Sequence, residues 1–338
     1  MKLSMTSWLF GGIAWVTLSL AGAVSAQQAE LVVGSFGGAY DEALAEVTKI
    51  FEAENNVKVT LLPGGANASM PRARNGEIDM TVIGMTDLMR LQAEGLLAPL
   101  DPLIVTNIDK LYPQALISDY GVVANFGARA MAYNTDHVTD VPTSWEEMAD
   151  PKYKGRVILR PFTVESADLI VMLARNAGGD ERNPDAGFAK MAEIAANVGV
   201  WEGEHAGILE LFRSDEADFA VWSDGRILWA AEEGAPVAGT IPKEGFSPLA
   251  SSIAIVKTTK NMELAQKYAN FMLDDAAGIK LATDLHYFPS KVDTVLPEGV
   301  TTGFLDADTI GSLVMNDWAY IVTVYGEWEE RFNKEVVQ

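Results

Sequence analysis

Residues 31–61 read LVVGSFGGAYDEALAEVTKIFEAENNVKVTL, and this stretch decides the fold. Leu31-Val32-Val33 is a short apolar run that ends at Gly34 and predicts a strand. Apolar residues at helical spacing follow from Tyr40 to Glu54, and Val57 to Leu61 alternates as a second strand. Parallel strands joined by a helix need cover on both faces of their sheet. The stretch therefore predicts a doubly wound α/β sheet.

The same alternation continues on both sides of this stretch. A short helix at 70–75 and a strand at 78–83 complete a βαβαβ opening, and ligands of such sheets bind at the carboxyl ends of the strands. The middle of the chain repeats the pattern and predicts a second α/β unit. Its predicted strands are 128–133, 156–159 and 218–222, and its predicted helices are 166–176, 185–197, 205–213 and 225–233.

The last third of the chain predicts a strand at 251–257, a helix at 262–273 and mostly helix from 306 to 332. No low-complexity linker or shift in composition separates the two α/β units. This organisation suits two lobes between which the chain crosses more than once.

Composition narrows the function classes. The 338 residues are 49% hydrophobic and 21% charged, which is typical of a globular protein with packed cores. Asp and Glu number 47 against 25 Lys and Arg, for a formal charge of −22, so binding to nucleic acid or anionic membranes is disfavoured. The absence of cysteine excludes disulfides, Cys-ligated zinc and thiol nucleophiles. The three histidines show no metal-ligand spacing.

The N-terminus carries an export signal. Met1-Lys2 is a basic start, the apolar run over 8–18 is shorter than the ~20 residues of a membrane span, and Val24-Ser25-Ala26 fits a cleavage site. We expect residues 1–26 to be a signal peptide that is cut after Ala26, which places the mature chain in the periplasm. The alternative is a retained membrane anchor.

Catalytic signatures are absent from the sequence. It contains no G-x-S-x-G elbow, H-E-x-x-H helix or P-loop. The glycine-rich turn at 34–40 fits an anion site or simply a tight turn between strand and helix. Glu165 and Asp168 should share the first turn of a helix after a strand, where they could bind a ligand or complement the helix dipole.

Several separated motifs give the chain a family resemblance. They are Gly37-Gly38-Ala39-Tyr40, Ala128-Arg129-Ala130-Met131-Ala132-Tyr133-Asn134, Thr143-Ser144-Trp145-Glu146-Glu147, Tyr153-Lys154-Gly155, Asp224-Gly225-Arg226, Pro242-Lys243-Glu244-Gly245 and Tyr268-Ala269-Asn270-Phe271-Met272-Leu273. By their order and spacing, the chain resembles the polyamine-type (spermidine/putrescine) periplasmic solute-binding proteins of bacterial ABC importers over nearly all its mature length.

The resemblance implies a type II periplasmic binding protein fold, in which two lobes close on a solute by hinge motion. Each lobe would have a mixed, mostly parallel sheet flanked by helices. Lobe 1 would combine residues 30–130 and 252–300, and lobe 2 would combine 131–251 and 301–338 with the C-terminal helices. The partners would be a small-molecule ligand and the ABC permease subunits. We expect a monomer without catalysis, cofactor, metal or stable membrane insertion after signal cleavage.

The resemblance also indicates binding residues. Glu165 and Asp168 match the acidic pair that grips ammonium groups, while Tyr40, Phe126 and Tyr287 match aromatic residues of the family. The full expected site consists of Phe36, Tyr40, Thr86, Phe126, Arg160, Glu165, Asp168, Trp222, Asp224, Arg226, Ser251 and Tyr287.

Two departures from the family pattern leave the ligand open. Residues 247–251 read SPLAS where the family has Trp and Asp, so one amine-gripping carboxylate is missing. Ser223 stands where the family has Trp, and a shift of one residue turns the Trp222 ring to the other face of a strand. Arg160 and Arg226 could instead bind a zwitterion, an organic acid or a phosphonate. A periplasmic α/β enzyme and an iron(III) or oxyanion binder remain alternatives from other classes.

Overall fold

The computed structural model describes residues 28–337, so the expected signal peptide lies outside the described residues. The strands of the N-terminal unit are β1 (Ala29–Gly34), β2 (Val57–Leu62), β3 (Met80–Gly84), β4 (Leu97–Ala98), β5 (Leu116–Ser118) and β6 (Gly121–Asn134). Its helices are α1 (Ala39–Asn55), α2 (Gly65–Asn75) and α3 (Met85–Ala93). The predicted βαβαβ opening is confirmed.

The middle of the chain forms the second α/β unit. Its strands are β7 (Val157–Leu159), β8 (Val198–Trp201), β9 (Phe219–Ser223) and β10 (Val237–Thr240), and its helices are α4 (Val164–Asn176), α5 (Asp185–Ala195), α6 (His205–Arg213) and α7 (Asp224–Glu232). The remaining elements are β11 (Ser247–Val256), α8 (Met262–Met272), α9 (Asp275–Leu285), β12 (Phe288–Pro289), α10 (Ala307–Ser312) and α11 (Trp318–Glu335).

One continuous strand order, β2-β1-β3-β11-β6-β9-β7-β8, joins the two units. Strand β1 is parallel to β2 and β3 at one end, and β7 is parallel to β8 and β9 at the other. The two middle strands, β11 and β6, run antiparallel to each other and to their outer neighbours. Each end is thus a mixed, mostly parallel sheet, as expected for the two-lobed type II fold.

Separate hydrophobic cores mark the lobes. Leu31, Val82, Ile253 and Tyr268 belong to a core in the half around β1, β2 and β3, which we call lobe 1. Phe188, Phe219, Trp328 and Phe332 belong to a core in the half around β7, β8 and β9, which we call lobe 2. Strands β6 and β11 cross between them, with β6 buried along its whole length.

Several elements differ from their predicted bounds. The crossing strands begin earlier than predicted, β6 by seven residues (121 against 128) and β11 by four (247 against 251). Because both faces of a crossing strand are buried, its residues show no alternation that would define its ends. Helix α2 begins five residues before the predicted start at 70, where Gly64 and Gly65 take positive φ angles of 126° and 57°. Helices α3 and α9 were not predicted.

Candidate ligand-binding cleft

A cavity of about 540 Å³ lies between the lobes. Lobe 1 and the crossing strand β11 contribute Phe36, Ala66, Gly84, Met85, Thr86, Asp87, Pro248, Leu249, Ala250, Ser251 and Tyr287. Lobe 2 and the crossing strand β6 contribute Arg129, Phe162, Thr163, Val164, Glu165, Asp168, His205, Ser223, Arg226, Trp318 and Tyr325. Much of this wall lies at strand-to-helix junctions, such as β3 to α3 and β9 to α7, so ligands would meet the carboxyl ends of parallel strands.

Arg129 and Glu165 form an ion pair in the cavity wall. Arg129 is only 7% exposed, and its Nη2 lies 2.6 Å from Oε1 of Glu165. Burial alone would raise the pKa of Glu165, but the charge of Arg129 and a hydrogen bond from Thr163 outweigh it and lower the pKa to about 2. Within residues 28–337, Nε and Nη1 of Arg129 have no hydrogen-bond partner. The cavity wall thus contains a carboxylate paired with a guanidinium, and two nitrogens of that guanidinium are buried without a partner.

Asp168, one turn further along α4, has a different environment. It is 4% exposed, and its two oxygens accept hydrogen bonds from Ser247 Oγ at 2.6 Å and Asn316 Nδ2 at 2.5 Å. Both donors are neutral, so burial dominates and raises the pKa of this carboxyl to about 7. Asp168 is therefore partly protonated at neutral pH.

The remaining charged groups of the wall are unevenly placed. Burial and the positive charges of Arg129 and Arg226 lower the pKa of His205 to about 4, so its ring is neutral. Asp87 lies close to Glu165; burial raises the pKa of Asp87, and the charge of Glu165 adds to the rise. The cavity wall thus has positive charges at Arg129 and Arg226 and negative charges at Asp87 and at Glu165, which is paired with Arg129.

Aromatic side chains from both lobes line the cavity. Phe36 and Tyr287 come from lobe 1, and Phe162, Trp318 and Tyr325 come from lobe 2. The rings of Phe162 and Tyr325 pack with their centroids 5.0 Å apart. Burial raises the pKa of Tyr325 to about 12, so its phenol is neutral and the ring can face a cation.

Seven of the twelve expected site residues line this cavity. They are Phe36, Thr86, Glu165, Asp168, Arg226, Ser251 and Tyr287. The other five, Tyr40, Phe126, Arg160, Trp222 and Asp224, lie outside the wall. Direct ligand contact by any of the twelve stays a prediction.

Two of these five are aromatic residues of lobe 1. Tyr40 lies behind the wall, where its ring contacts Phe36 and Tyr287 at centroid distances of 5.1 and 6.1 Å. It therefore supports two rings that do line the cavity. Phe126 is completely buried in the lobe 1 core because its strand is covered on both faces.

The other three lie on the lobe 2 side. Arg160 borders a separate small pocket behind Glu165, and burial lowers its pKa. Trp222 is 1% exposed, stacks on Phe212 and donates from Nε1 to Nδ1 of His205 at 2.8 Å. The cavity is lined by Ser223 instead, because consecutive strand residues face opposite sides.

Asp224 is also buried, at 1% exposure, and its Oδ1 accepts the Gly225 N–H at 2.8 Å. Burial raises its pKa to about 6. Gly303 has a positive φ of 63°, and a Cβ at this position would lie 2.3 Å from Oδ2 of Asp224. The Gly303 backbone therefore packs closely against the buried carboxyl of Asp224.

Sequence reasoning missed Arg129, Asp87, His205, Phe162, Trp318 and Tyr325 on the cavity wall. Arg129 had a readable signal, since it is the single charge in the apolar run ANFGARAMAY over 124–133. Asp87 lies on the unpredicted helix α3, and Trp318 and Tyr325 lie on a terminal helix distant in sequence.

Residues 28–337 contain neither a metal-ligand cluster nor a membrane-spanning helix. No group of three or more His, Cys, Asp or Glu side chains is placed to hold a metal ion in this part of the chain. Each helix in the same range is too short or too polar to span a bilayer.

Known proteins share this architecture. The chain is 25% identical over 303 residues to the spermidine/putrescine-binding periplasmic protein of Escherichia coli, covering 83% of this chain and 86% of the relative. It is 27% identical over 349 residues to the gamma-aminobutyric acid-binding protein of Pseudomonas aeruginosa, covering 96% of each. Iron uptake protein A1 of Synechocystis is 28% identical over 280 residues, with 77% of this chain and 76% of the relative covered.

A crystal structure of an ABC transporter from Clostridium perfringens superposes with a TM-score of 0.80 at 21% identity, covering 90% of this chain and 99% of the other. The sequence profile of the bacterial extracellular solute-binding proteins matches residues 46–303. The chain therefore belongs to the bacterial extracellular solute-binding protein family, as a substrate-binding component of an ABC importer.

Proposed function

We propose that this protein captures a small amine-containing solute in the interlobe cleft and passes it unchanged to an ABC permease. The observation that carries the proposal is the permanent negative charge of Glu165 in a cavity lined by aromatic rings. Its pKa of about 2 leaves the carboxylate ionised throughout the physiological range. A carboxylate and an aromatic face together favour an ammonium group by charge and by cation–π attraction.

The names of two relatives support an amine-containing ligand. The names of the Escherichia coli and Pseudomonas aeruginosa relatives specify spermidine or putrescine in one case and gamma-aminobutyric acid in the other. These compounds share a primary amine on a short flexible chain. A polyamine is one candidate ligand, and a zwitterion is a second candidate because Arg226 and Arg129 also line the cavity.

Delivery of the solute to the permease would follow from closure of the two lobes. We propose that β6 and β11 act as the hinge, with lobe 1 formed by residues 30–130 and 252–300 and lobe 2 formed by the rest of the mature chain. Closure about these strands would bury the solute between the lobes and present a closed surface to the permease. Export through the N-terminal signal would place a monomeric binder in the periplasm.

Two other classes fit the cavity less well. An enzyme would need an activated nucleophile, yet the cavity histidine accepts a hydrogen bond from Trp222 and has a lowered pKa, and the relatives are named as binding or uptake proteins. An iron(III) binder would need a cluster of hard ligands, and residues 28–337 contain no group of three acidic or histidine side chains so arranged.

The test is a thermal-shift screen of the purified protein against amines, amino acids, organic acids and phosphonates. A ligand at about 100 times its dissociation constant adds ~2.7 kcal/mol to stability, which raises the midpoint visibly. Glu165→Gln should abolish the shift caused by amines, while Glu298→Gln, at an exposed site, should keep it. A shift caused only by compounds without an amine, or turnover of any hit, would refute the proposal.

A further inference from the structure

Trp222 and His205 form a hydrogen bond directly behind the cavity wall. Trp222, on β9, is 1% exposed, and its indole Nε1 lies 2.8 Å from Nδ1 of His205, the first residue of α6. An indole N–H can donate but not accept, so Nδ1 of His205 is the acceptor of this bond. A ring nitrogen that accepts carries no proton, and a neutral imidazole then carries its single proton on Nε2.

Apolar packing holds the indole in place for this bond. The Trp222 ring stacks on Phe212 of α6, with centroids 6.3 Å apart and an interplanar angle of 14°. Both rings belong to a hydrophobic core that also contains Ile208 of the same helix. Because these contacts fix the indole against the helix that carries His205, the N–H of Trp222 keeps one direction.

The surroundings of His205 keep its ring unprotonated. Burial lowers the pKa of this histidine. The positive charges of Arg129 on β6, Arg226 on α7 and Arg160 after β7 lower the pKa further, to about 4. The negative charge of Glu165 on α4 acts in the opposite direction and does not outweigh them. The imidazole is therefore neutral near pH 7, and Trp222 decides which of its two nitrogens carries the proton.

The second ring nitrogen of His205 is available to a ligand. His205 lines the cavity and is half-buried. Within residues 28–337, Nε2 has no hydrogen-bond partner. In contrast to Nε and Nη1 of Arg129, it is also not closed off by protein atoms. The cavity wall thus presents an uncharged N–H donor at this position.

This part of the cavity favours an oxygen atom of a solute over an ammonium group. The Nε2–H of His205 and the guanidinium of Arg226, which also lines the cavity, can donate but not accept. The nearby carboxyl of Asp224 is 1% exposed and accepts the Gly225 N–H. A carboxylate, carbonyl or hydroxyl oxygen could accept from Nε2, whereas an ammonium group would leave that N–H unpaired.

We infer that Trp222 is a positioning residue that fixes His205 as the neutral Nε2–H tautomer, and that this N–H determines specificity by donating to an oxygen atom of the captured solute. The inference rests on the proposed capture of an amine and adds a contact at a second point of the same solute. Trp222, expected from the sequence to contact the ligand, would thus act through His205. A site built to donate to a substrate oxygen discriminates against analogues that lack it.

The tautomer can be measured without a ligand. The chain contains three histidines, so long-range ¹H–¹⁵N spectra of the ¹⁵N-labelled protein are simple, and His205→Gln identifies the signals of His205. We expect a protonated Nε2 and an unprotonated Nδ1 from pH 8 down to about pH 5, above the pKa of about 4. A proton on Nδ1, or a doubly protonated ring at pH 7, would refute the inference.

Trp222→Phe removes the donor and keeps an aromatic ring in the core. Without the indole N–H, Nδ1 can take up a proton and lose no hydrogen bond, so the pKa of His205 should rise. The midpoint of its NMR titration should move up by about 1 pH unit. Trp229→Phe, at an exposed tryptophan outside the cavity wall, is the matched control and should leave the midpoint unchanged. An unchanged midpoint in Trp222→Phe would contradict the positioning role.

Four amines with a four-carbon chain test the contact to the solute. Putrescine ends in a second ammonium group, 4-amino-1-butanol in a hydroxyl, N-acetylputrescine in an amide and 4-aminobutyrate in a carboxylate. In isothermal titration calorimetry, we expect the best of the three oxygen-bearing solutes to bind about 10-fold more tightly than putrescine. His205→Phe should remove this advantage, and His205→Gln, which keeps an N–H donor, should retain part of it.

The outcomes separate this inference from the proposed function. Tightest binding of putrescine, or equal weakening of putrescine and the oxygen-bearing solutes by His205→Phe, would refute the specificity contact and leave amine capture standing. Absence of binding by all four amines would refute both. Melting curves of the unliganded variants show that each is folded, and the wild-type tautomer tests the inference independently of any variant.

Discussion

Strands β6 and β11 cross between the lobes side by side, yet they give two carboxylates of helix α4 different environments. Arg129 of β6 lies directly opposite Ser247 of β11 in the antiparallel register. Each contacts one carboxylate of α4: Arg129 bonds to Glu165 and Ser247 bonds to Asp168. These carboxylates are three residues apart and so lie on one face of the helix. Their pKa values nevertheless shift in opposite directions, to about 2 and to about 7.

The opposite pKa shifts show how a full positive charge on a crossing strand affects a neighbouring carboxyl. Both carboxylates lose hydration, which by itself raises a pKa. A guanidinium at 2.6 Å outweighs that loss for Glu165, whereas a hydroxyl and an amide at similar distances do not outweigh it for Asp168. One member of the acidic pair is therefore a fixed anion and the other titrates near neutral pH.

Removing the positive charge of Arg129 on β6 should have the largest effect on stability. Arg129→Ala leaves Glu165 ionised in a largely buried site, so the free energy of unfolding at pH 7 should fall by about 3 kcal/mol. Urea denaturation of the unliganded protein measures it. Adding Glu165→Gln to this variant should restore part of the loss. The exposed Arg213→Ala should change stability by less than about 0.5 kcal/mol, and an equal effect of both substitutions would show that the pair contributes nothing.

Asp168, the carboxyl that Ser247 of β11 contacts, should affect the pH dependence of stability. The usual pKa of Asp168, 3.8, is raised to about 7 on folding, so the folded protein binds a proton here that the unfolded chain has already lost. The resulting stabilisation is fully present below pH 3.8 and disappears as the pH rises through 7. The stability lost between pH 5 and pH 7 amounts to about 2 kcal/mol. Asp168→Asn should flatten the stability curve by that amount in urea denaturation at pH 5, 6, 7 and 8.

Two comparison variants sharpen this pH test. Ser247→Ala keeps the carboxyl but removes one donor to its charged form, so the fall in stability should move to higher pH. Glu165→Gln removes a negative charge that helps to raise the pKa of Asp168, so the fall in stability should move to lower pH. The contribution of the Glu165 carboxylate itself is lost only as the pH falls from its usual 4.5 toward 2. Parallel curves for the wild type and Asp168→Asn would contradict the assignment.

A third contact between the lobes, away from the crossing strands, should have the smallest effect. The Arg90 guanidinium of α3 lies 5.9 Å from the ring centroid of Tyr325 on α11 and 3.4 Å from Asp87. The Arg90 side chain is 52% exposed, so Arg90→Ala should cost about 0.5 kcal/mol in urea denaturation. A loss close to that of Arg129→Ala would mean that this contact, rather than the crossing strands, holds the lobes together.

Part of this comparison between the two carboxylates could be predicted from the sequence. Glu165 and Asp168 could be placed together because helix spacing is local, and the lack of a composition boundary indicated a chain that crosses between two lobes more than once. Their partners could not be found in the same way, since 36 residues separate Arg129 from Glu165 and 148 separate Asn316 from Asp168. Trp222 illustrates a finer limit, because one residue of strand register decided that Ser223 faces the cavity instead.

The sequence by itself determined the α/β class, the βαβαβ opening and an acidic pair at the start of a lobe 2 helix, because these follow from local periodicity and residue chemistry. Tertiary structure alone decided which side chains line the cleft and which charges they carry. A pKa depends on burial and on charges a few ångströms away, and those neighbours come from strands and helices that only folding brings together.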